Sequence, residues 1–508
     1  MASLPEALTA RILQHVPQQH RLQQCALACK AWASAATLAT VHVELTLQAD
    51  SQAIPAFESW LEQHAGQLES LQLNLTEAGS SSMDEYEDHP RLPHSPWYIQ
   101  HELQLPWDKL AKLQRLQLEC FKVTLPWEGS RGATIGAGAG ATSGSSSNRE
   151  ETHTPAPLLL PSLQHLRLSK VQLVSSSSLL QLAQAPGLTS MKISDISFSL
   201  PQYCSVPGQQ YHNKEGAVQH LAAATADLLL QLPGLAVLEL PGIPMSAAAM
   251  HQLGRMQRLQ QVHLGRVVHM PMCELQKLPS SITQLRFNSS KGGRHSNQPS
   301  LLPELHQLTG LLRLELHCCA VPPTALGAFT RLQGLKLFCC TLLPAPAPVA
   351  AAGPFIDDDD PVYETEGTAA LLDTLPKMTC LQDLSLSLEG LDTVSIAPQR
   401  FAALTASTQL TRLAVSPMNC VPLPTGAAQY MFPAGRQLPL LQELTIAANV
   451  ADPVRWCLDG TDIHSIATCC TRLQKLNIGH NVPPGADVCM DSARLPLRAQ
   501  ISGAVGYW

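Results

Sequence analysis

A stretch of the chain recurs in the same pattern after 21 residues. Residues 309–321 read TGLLRLELHCCAV and residues 330–342 read TRLQGLKLFCCTL, so both copies carry the nine-position frame L-x-x-L-x-L-x-x-C. The alternating Leu-x-Leu predicts a short strand with one buried face. One unit is too small to bury its own apolar edge, so the copies must stack against each other. The frame residues are Leu311, Leu314, Leu316, Cys319 and Leu332, Leu335, Leu337, Cys340.

The same frame returns along most of the chain, and a period in the low twenties is the sequence signature of leucine-rich repeats. We therefore predict an α/β leucine-rich-repeat solenoid, with parallel strands on its concave face and helices and loops on its convex face. Most intervals are 21–32 residues, but a few approach 50 and hold either an insertion or a repeat that the sequence hides. The remaining predicted strands follow the frame at Leu68, Leu113, Leu163, Leu188, Leu235, Leu259, Ile282, Leu381, Leu410, Leu441 and Leu473, after a first strand with Val41, Val43, Leu45 and Leu47.

Position 9 of the frame lies where the chain leaves the strand and turns. A small side chain that hydrogen-bonds inward suits this bend, and Asn449 and Asn481 take the place of Cys in two of the repeats. Between the strands, residues 217–232 and 462–470 have apolar residues at helical spacing. We expect helices there, on the side of the repeat opposite the strands.

Two insertions have a low-complexity composition. Residues 128–157 are rich in Gly, Ser and Ala, and residues 344–366 combine a Pro/Ala tract with an acidic run. Such compositions predict flexible loops. We expect the repeats to occupy residues 41–481 and a C-terminal cap or tail to follow at 482–508.

Residues 1–40 do not fit the frame. They predict a short helix that begins at Leu4-Pro5-Glu6 and ends at Pro17, and a second helix that carries Leu22 and Trp32. The order LPEALTARILQHV…RLQQCALACKAW resembles the F-box. This resemblance implies a helical module that docks on the Skp-family subunit of a cullin-based SCF ubiquitin ligase. It assigns Skp binding to Leu4, Pro5, Leu8, Ile12, Leu13, Leu22, Cys29, Lys30 and Trp32.

Composition excludes several other classes of function. The net charge of −7 gives no overall basic footprint for nucleic acid or for acidic membrane surfaces. No apolar run reaches the roughly 18 residues of a membrane span. The first residues lack the pattern of a signal peptide, and the 15 cysteines are scattered as in reduced proteins. We expect a location in the cytoplasm, the nucleus or both.

The motifs of enzymes and metal sites are missing from the sequence. Asp357–Asp360 form a run of acidic residues in a Pro-rich segment, which is typical of a solvated surface. The adjacent pairs Cys318-Cys319, Cys339-Cys340 and Cys469-Cys470 lack the spacing by which cysteines chelate zinc. We find no nucleophile elbow, phosphate loop or zinc-protease motif. We therefore predict no catalysis, no metal and no cofactor.

One column of residues remains as a candidate binding surface. Position 5 of the frame lies between two inward-facing leucines and must point to solvent. Its middle part is charged and mostly basic, and Glu239 and Glu315 interrupt it. The column is either an ordinary solubilising face or a surface for an acidic or phosphorylated segment of a protein substrate. For the second case the binding residues are Arg167, Lys192, His263, Arg286 and Lys336.

These observations predict a substrate-recruiting adaptor of an SCF ligase, with partners that are a Skp-family subunit, a cullin reached through it, and a protein substrate. One alternative is an interaction scaffold without ligase association. Ala28, at a place where the F-box usually has Val, favours that alternative, as does the missing Leu-Trp pair. A second alternative is a sensor that holds a small molecule on the concave face.

Overall fold

The structure is a computed structural model of the 508-residue chain. The chain forms two compact units, Met1–Pro244 and Met245–Trp508. The predicted F-box residues, the 128–157 segment and the tail from 482 lie outside the described residues. The structure describes residues 41–48, 53–76, 102–123, 160–173, 185–194, 197–198, 223, 225–243, 245–265, 277–288, 307–343, 362–388, 396–415, 426–446 and 460–477.

The first unit contains a parallel sheet and a second, narrower one. Its main sheet has the order β1-β2-β4-β6-β8-β10, so strands that follow each other in the frame are also neighbours in space. The second sheet has the order β3-β5-β7-β9 and consists of two-residue strands, three of which follow a main strand. The strands are β1 (His42–Gln48), β2 (Ser70–Thr76), β3 (Glu102–Leu103), β4 (Arg115–Glu119), β5 (Lys122–Val123), β6 (His165–Ser169), β7 (Gln172–Leu173), β8 (Ser190–Ser194), β9 (Ser197–Phe198) and β10 (Val237–Leu240).

The second unit repeats this plan. Its main sheet runs β11-β12-β13-β15-β16-β17-β18-β19, again parallel and in chain order, and the short β14 pairs with the end of β15. The strands are β11 (Gln261–Leu264), β12 (Gln284–Asn288), β13 (Arg313–His317), β14 (Ala320–Val321), β15 (Gly334–Leu342), β16 (Asp383–Leu388), β17 (Arg412–Val415), β18 (Glu443–Ile446) and β19 (Lys475–Asn477).

Helices return the chain between strands, as predicted for 462–470 and, in part, for 217–232, of which residues 225–230 are helical. A helix also begins at Val362, so residues 362–366, which the sequence assigns to a low-complexity loop, are its first part. The α-helices are α1 (Ala53–His64), α2 (Ala247–Arg255), α3 (Pro323–Leu326), α4 (Val362–Thr374), α5 (Ala427–Met431) and α6 (Gly460–Cys469), and 3-10 turns lie at Ala65–Gln67, Trp107–Lys109, Leu375–Lys377 and Pro398–Thr405.

The leucines of the frame form the core of each unit. In β4 and β6, Leu116 lies opposite Leu166 and Leu118 opposite Leu168, and all four are at most 2% exposed. Burying a leucine side chain contributes about 1.5–3 kcal/mol, so a column of matched leucines stabilises every strand pair. A register slip by one residue would turn the whole set to solvent. The hydrophobic pattern therefore fixes the register.

The long intervals between repeats are insertions, because the strands on either side of each interval pair directly. Leu113 and Leu163 are 50 residues apart, yet their strands β4 and β6 form a continuous in-register pair. The same holds for β2 with β4, β8 with β10 and β15 with β16. No further repeat is inserted into the main sheet at these four places.

Each strand begins with a shared carbonyl at frame position 2. The carbonyl oxygen of Gln114 accepts from the N–H groups of Gln164 and His165, at 2.8 and 2.9 Å. In the next repeat, the oxygen of Gln164 accepts from Thr189 and Ser190, at 2.9 and 3.0 Å. The pattern continues through the strand pairs of both units. One acceptor thus serves two donors where the chain enters the sheet.

In several repeats, the residue at frame position 8, just after the strand, has a left-handed backbone conformation. Among the described residues other than glycine, positive φ angles occur at Cys120 (65°), Lys170 (51°), Cys318 (54°) and Cys339 (51°). This bend turns the next side chain into the core, where Cys319 and Cys340 are 2% and 0% exposed. The Sγ of Cys340 donates to the carbonyl of Leu316 at 3.3 Å. The expected inward hydrogen bond at position 9 is confirmed for this residue.

In-register leucines on parallel strands, with helices or turns that return the chain, make each unit a leucine-rich-repeat solenoid. The predicted fold class is confirmed for the residues that the structure describes. No helix in this part of the chain is both long and apolar enough to cross a membrane.

Candidate functional site

The open face of each sheet carries frame positions 3, 5 and 7. Because strand residues alternate between faces, these positions lie opposite the buried leucines. In β4, for example, Arg115, Gln117 and Glu119 are exposed or half-exposed, while Leu116 and Leu118 are buried. The sequence analysis singled out position 5 alone. The face is three residues wide, and positions 3 and 7 decide how the charges of position 5 are balanced.

Two of the predicted binding residues belong to the first unit. Arg167 on β6 lies opposite Lys192 on β8, and Lys192 lies opposite Glu239 on β10. The Nζ of Lys192 is 2.6 Å from Oε1 of Glu239, so this ammonium group is already paired. Arg167 is exposed and makes no hydrogen bond or ion pair with another described residue.

Arg115 adds a second exposed guanidinium next to Arg167. It lies at position 3 of β4, directly opposite His165 on β6, and Arg167 follows His165 by two residues. Burial, and after it the positive charge of Arg115, hold the pKa of His165 below its usual value. We call Arg115, His165 and Arg167 the basic trio. Neither Arg115 nor His165 was predicted from the sequence, because both stand at position 3 of the frame.

In the second unit the predicted cations are compensated by carboxylates. Arg286 on β12 has its Nε 3.0 Å from Oε1 of Glu315 on β13. The Nζ of Lys336 on β15 is 3.6 Å from Oδ2 of Asp383 on β16. His263 on β11 is half-buried and lies opposite Arg286. Charges thus alternate in sign across four neighbouring strands. This arrangement favours a structural role for Arg286 and Lys336.

Glu315 is the centre of a network on the same face. Its Oε1 accepts from Nε2 of His317 at 2.7 Å and forms an ion pair with Arg286. The hydrogen bond from His317, supported by the charges of Arg286 and Lys336, lowers the pKa of Glu315 against the opposing effect of burial. The ring of His317 stacks on that of Phe338, with centroids 4.8 Å apart and planes 25° apart. The network therefore joins β12, β13 and β15.

The remaining predicted residues lie outside the described residues. They are the Skp-binding residues Leu4, Pro5, Leu8, Ile12, Leu13, Leu22, Cys29, Lys30 and Trp32. Their assignment stays a prediction.

Comparisons with known proteins found similarity to solved structures at low sequence identity. No family model matches the chain, and no curated protein matches it. A leucine-rich-repeat protein of Leptospira interrogans is similar at 16% identity, over 92% of this chain and 97% of that one, with a TM-score of 0.40. An internalin from Listeria monocytogenes is 14% identical over 68% of this chain and 82% of its own, with a TM-score of 0.37.

A plant receptor is a further similar structure. The leucine-rich-repeat ectodomain of the Arabidopsis thaliana membrane receptor kinase GASSHO1/SCHENGEN3, in complex with CASPARIAN STRIP INTEGRITY FACTOR 2, is 15% identical. The match covers 82% of this chain and 42% of that one, with a TM-score of 0.35. Because these TM-scores are below 0.5, the leucine-rich-repeat assignment rests on the strand register of this chain.

Proposed function

We propose that the chain is a protein-binding scaffold that holds an acidic or phosphorylated segment of its partner on the basic trio of the first unit. The observation that carries this proposal is the charge balance of the described open faces. Lys192, Arg286 and Lys336 are each within ion-pair distance of a carboxylate. Arg115 and Arg167 are exposed and have no carboxylate partner among the described residues.

The spacing of the two arginines suits a single anion. Residues that are diagonal neighbours on adjacent strands have Cβ atoms about 7–8 Å apart, which long side chains bridge easily. Guanidinium groups bind carboxylates and phosphates through two parallel hydrogen bonds. Both arginines stand on strands of the sheet, so their backbone is already fixed and only side-chain freedom is lost on binding. An extended acidic segment therefore fits this place better than the already paired Arg286 and Lys336 of the second unit.

The test is a comparison of retained proteins. Three chains are immobilised and incubated with extract of the source cells. They are the wild type, the double variant Arg115→Glu/Arg167→Glu and the matched control Arg258→Glu/Arg331→Glu. Mass spectrometry then quantifies what each retains. We expect a set of proteins that the control retains and the double variant does not. Retention of this set should weaken as salt rises, because exposed charges are screened within about 8 Å at physiological ionic strength. Equal retention by all three chains would refute the proposal.

A phosphatase step separates the two kinds of anion. If the partner binds through phosphate, treating the extract beforehand removes the set; if it binds through Asp and Glu, the set remains.

We further propose that the scaffold is the substrate-recruiting adaptor of an SCF ubiquitin ligase. This step is supported by the order of residues 1–40, which resembles an F-box. The chain itself contributes no reactive side chain to this scheme; it accelerates transfer of ubiquitin by bringing the substrate close to the ligase. The cullin is reached through the Skp-family subunit.

A pull-down with a purified Skp-family protein tests the adaptor role. Replacing Leu8 and Ile12 by Ala removes two large apolar anchors, and such anchors dominate the energetics of interfaces. We expect the Skp affinity of the double variant to fall by about 100-fold or more, since several kcal/mol of binding free energy are removed. The Arg115→Glu/Arg167→Glu variant should bind Skp as the wild type does. Undiminished yield from the Leu8→Ala/Ile12→Ala chain would exclude the adaptor role and leave the scaffold role intact.

A further inference from the structure

Position 7 of the frame has an unusual occupant in the second unit. On the described strands of the two units this open-face position is small or polar, as at Asn74, Ser169, Ser194 and Asn288. On β13 and β15 it is occupied by His317 and Phe338, which lie opposite each other. An aromatic pair on the solvent side of a sheet does not contribute to the leucine core. It calls for an explanation outside the packing of the repeats.

The aromatic pair is held in a fixed geometry. The rings stack at 4.8 Å, and His317 is anchored through Nε2 to Glu315, which Arg286 also contacts. On its other side, Phe338 lies opposite Ser387 on β16, and Ser385 on the same strand is also small. The ring of Phe338 is therefore larger than the two serine side chains beside it. Aromatic side chains, Phe among them, are enriched at protein interfaces relative to the rest of the surface.

One cation near this aromatic pair has no carboxylate partner among the described residues. Arg313 lies at position 3 of β13, four residues before His317, and makes no ion pair with another described residue. Its side chain crosses over Gly334, where an added Cβ would lie 3.4 Å from Cγ of Arg313. At 3.3 Å per residue, Arg313 and His317 are separated by roughly 13 Å along the strand. The two positive charges of Arg286 and Lys336 are balanced by the two negative charges of Glu315 and Asp383. The net charge of this neighbourhood is therefore the positive charge of Arg313.

We propose that Phe338, His317 and Arg313 form a docking surface for an extended segment of a protein partner that carries a large apolar side chain and, about four residues away, a carboxylate. The apolar side chain lies against Phe338 above Ser385 and Ser387. The carboxylate is bound by the guanidinium of Arg313. The proposal rests on the proposed protein-binding function, but it uses a surface different from the basic trio.

Panning of a random 12-residue peptide library, displayed on phage, against the full chain tests this surface. We expect the enriched sequences to contain Phe, Trp, Leu or Met with Asp or Glu three to five residues away. Binding of these clones should fall at least tenfold on Phe338→Ser and on Arg313→Ser. It should be unchanged on the control Tyr430→Ser, which removes an exposed aromatic residue from α5.

A second measurement does not depend on the folding of a variant. Hydrogen exchange of the wild-type chain with a saturating enriched peptide should slow in residues 313–317 and 334–338 and nowhere in the first unit. Clones that bind Phe338→Ser normally, or protection elsewhere, would overturn the inference. Clones that need Arg115 and Arg167 instead would support the proposed function and refute this docking surface. An absence of enriched clones would count against both.

Discussion

Lys192 and Glu239 face each other across β8 and β10, with the ammonium nitrogen 2.6 Å from a carboxylate oxygen. The two residues are 47 positions apart in the chain, and the sheet makes them neighbours. Both side chains are about one-third exposed, so the pair contributes at most a modest stabilisation, of about 0–1 kcal/mol. For the proposed binding to the basic trio, the pair matters because it removes one cation from the surface that includes Arg167.

Glu239→Gln should restore that cation. We expect the variant to bind the acidic partner of the basic trio more tightly than the wild type, by a factor of about 2 to 5, because one opposing charge is removed near Arg167. The matched control is Glu44→Gln, which removes a carboxylate that is hydrogen-bonded to Gln72 on the first two strands. Titration of both variants with the purified partner at two salt concentrations gives the comparison. Weaker binding by Glu239→Gln would show that Glu239 itself contacts the partner.

The network around Glu315 should make stability depend on pH in the acid range. The pKa of Glu315 in the folded chain lies below the usual value of about 4.5, so the network stabilises the fold above about pH 4.5 and this contribution is lost as pH falls through the folded pKa. We expect Glu315→Gln to lower Tm at pH 7. The difference from the wild type should shrink towards pH 3. A difference that is equal at pH 7 and pH 3 would contradict this assignment.

Gly367→Ala should destabilise the second unit. Helix propensity alone favours Ala by about 1 kcal/mol at an interior helix position. A Cβ on Gly367, however, would lie 2.5 Å from the carbonyl oxygen of Leu342, and backbone cannot move away cheaply. Overpacking of this kind costs about 1–3 kcal/mol, so the clash decides the sign. Gly234→Ala is the control, since its Cβ would meet nothing within 4 Å. Urea unfolding of both variants measures the difference; a stabilised Gly367→Ala chain would show that the contact relaxes freely.

Removing most of the Gly/Ser-rich insertion should leave the first unit folded. Deleting residues 130–155 shortens the interval from Leu113 to Leu163 to the 24 residues that separate Leu235 from Leu259. Because β4 and β6 already pair directly, the shorter connection joins the same two strands. The connection between Val123 and Leu160 shortens from 36 to 10 residues, nearly two halvings at about 0.6 kcal/mol each, so the closure free energy changes by about 1 kcal/mol and Tm should move by roughly 4 °C or less. Thermal melting by circular dichroism measures the change. Loss of a cooperative transition would mean that the insertion holds part of the fold.

The leucine frame predicts the strands because hydrophobic period and repeat length are both local properties of the sequence. It also predicts that Cys340 turns inward. It does not separate an insertion from a hidden repeat, because a 50-residue interval fits either one. The positive φ angles at Cys120 and Lys170 were also not evident, since the residues at position 8 show no preference for Gly or Asn.

The candidate site is harder to predict than the fold for a related reason. Counting charges at position 5 finds Lys192 and Lys336, but their net effect depends on Glu239 and Asp383, which become neighbours only when strand order is known. Asp383 and Arg115 also stand at position 3. Positions 3, 5 and 7 of the frame together contain the basic trio and the His317–Phe338 pair, and the strand order then brings these residues side by side.

The shared carbonyl at position 2 has a consequence for assembly of the sheet. The oxygen of Gln114 holds two successive N–H groups of the next strand, so a finished repeat acts as a template that copies its register onto the one that follows. These hydrogen bonds join only the two strand ends, so the register does not depend on the length of the chain between them. A repeat array of this kind can acquire new loops over evolutionary time, at any junction, without disturbing the order in which its strands line up.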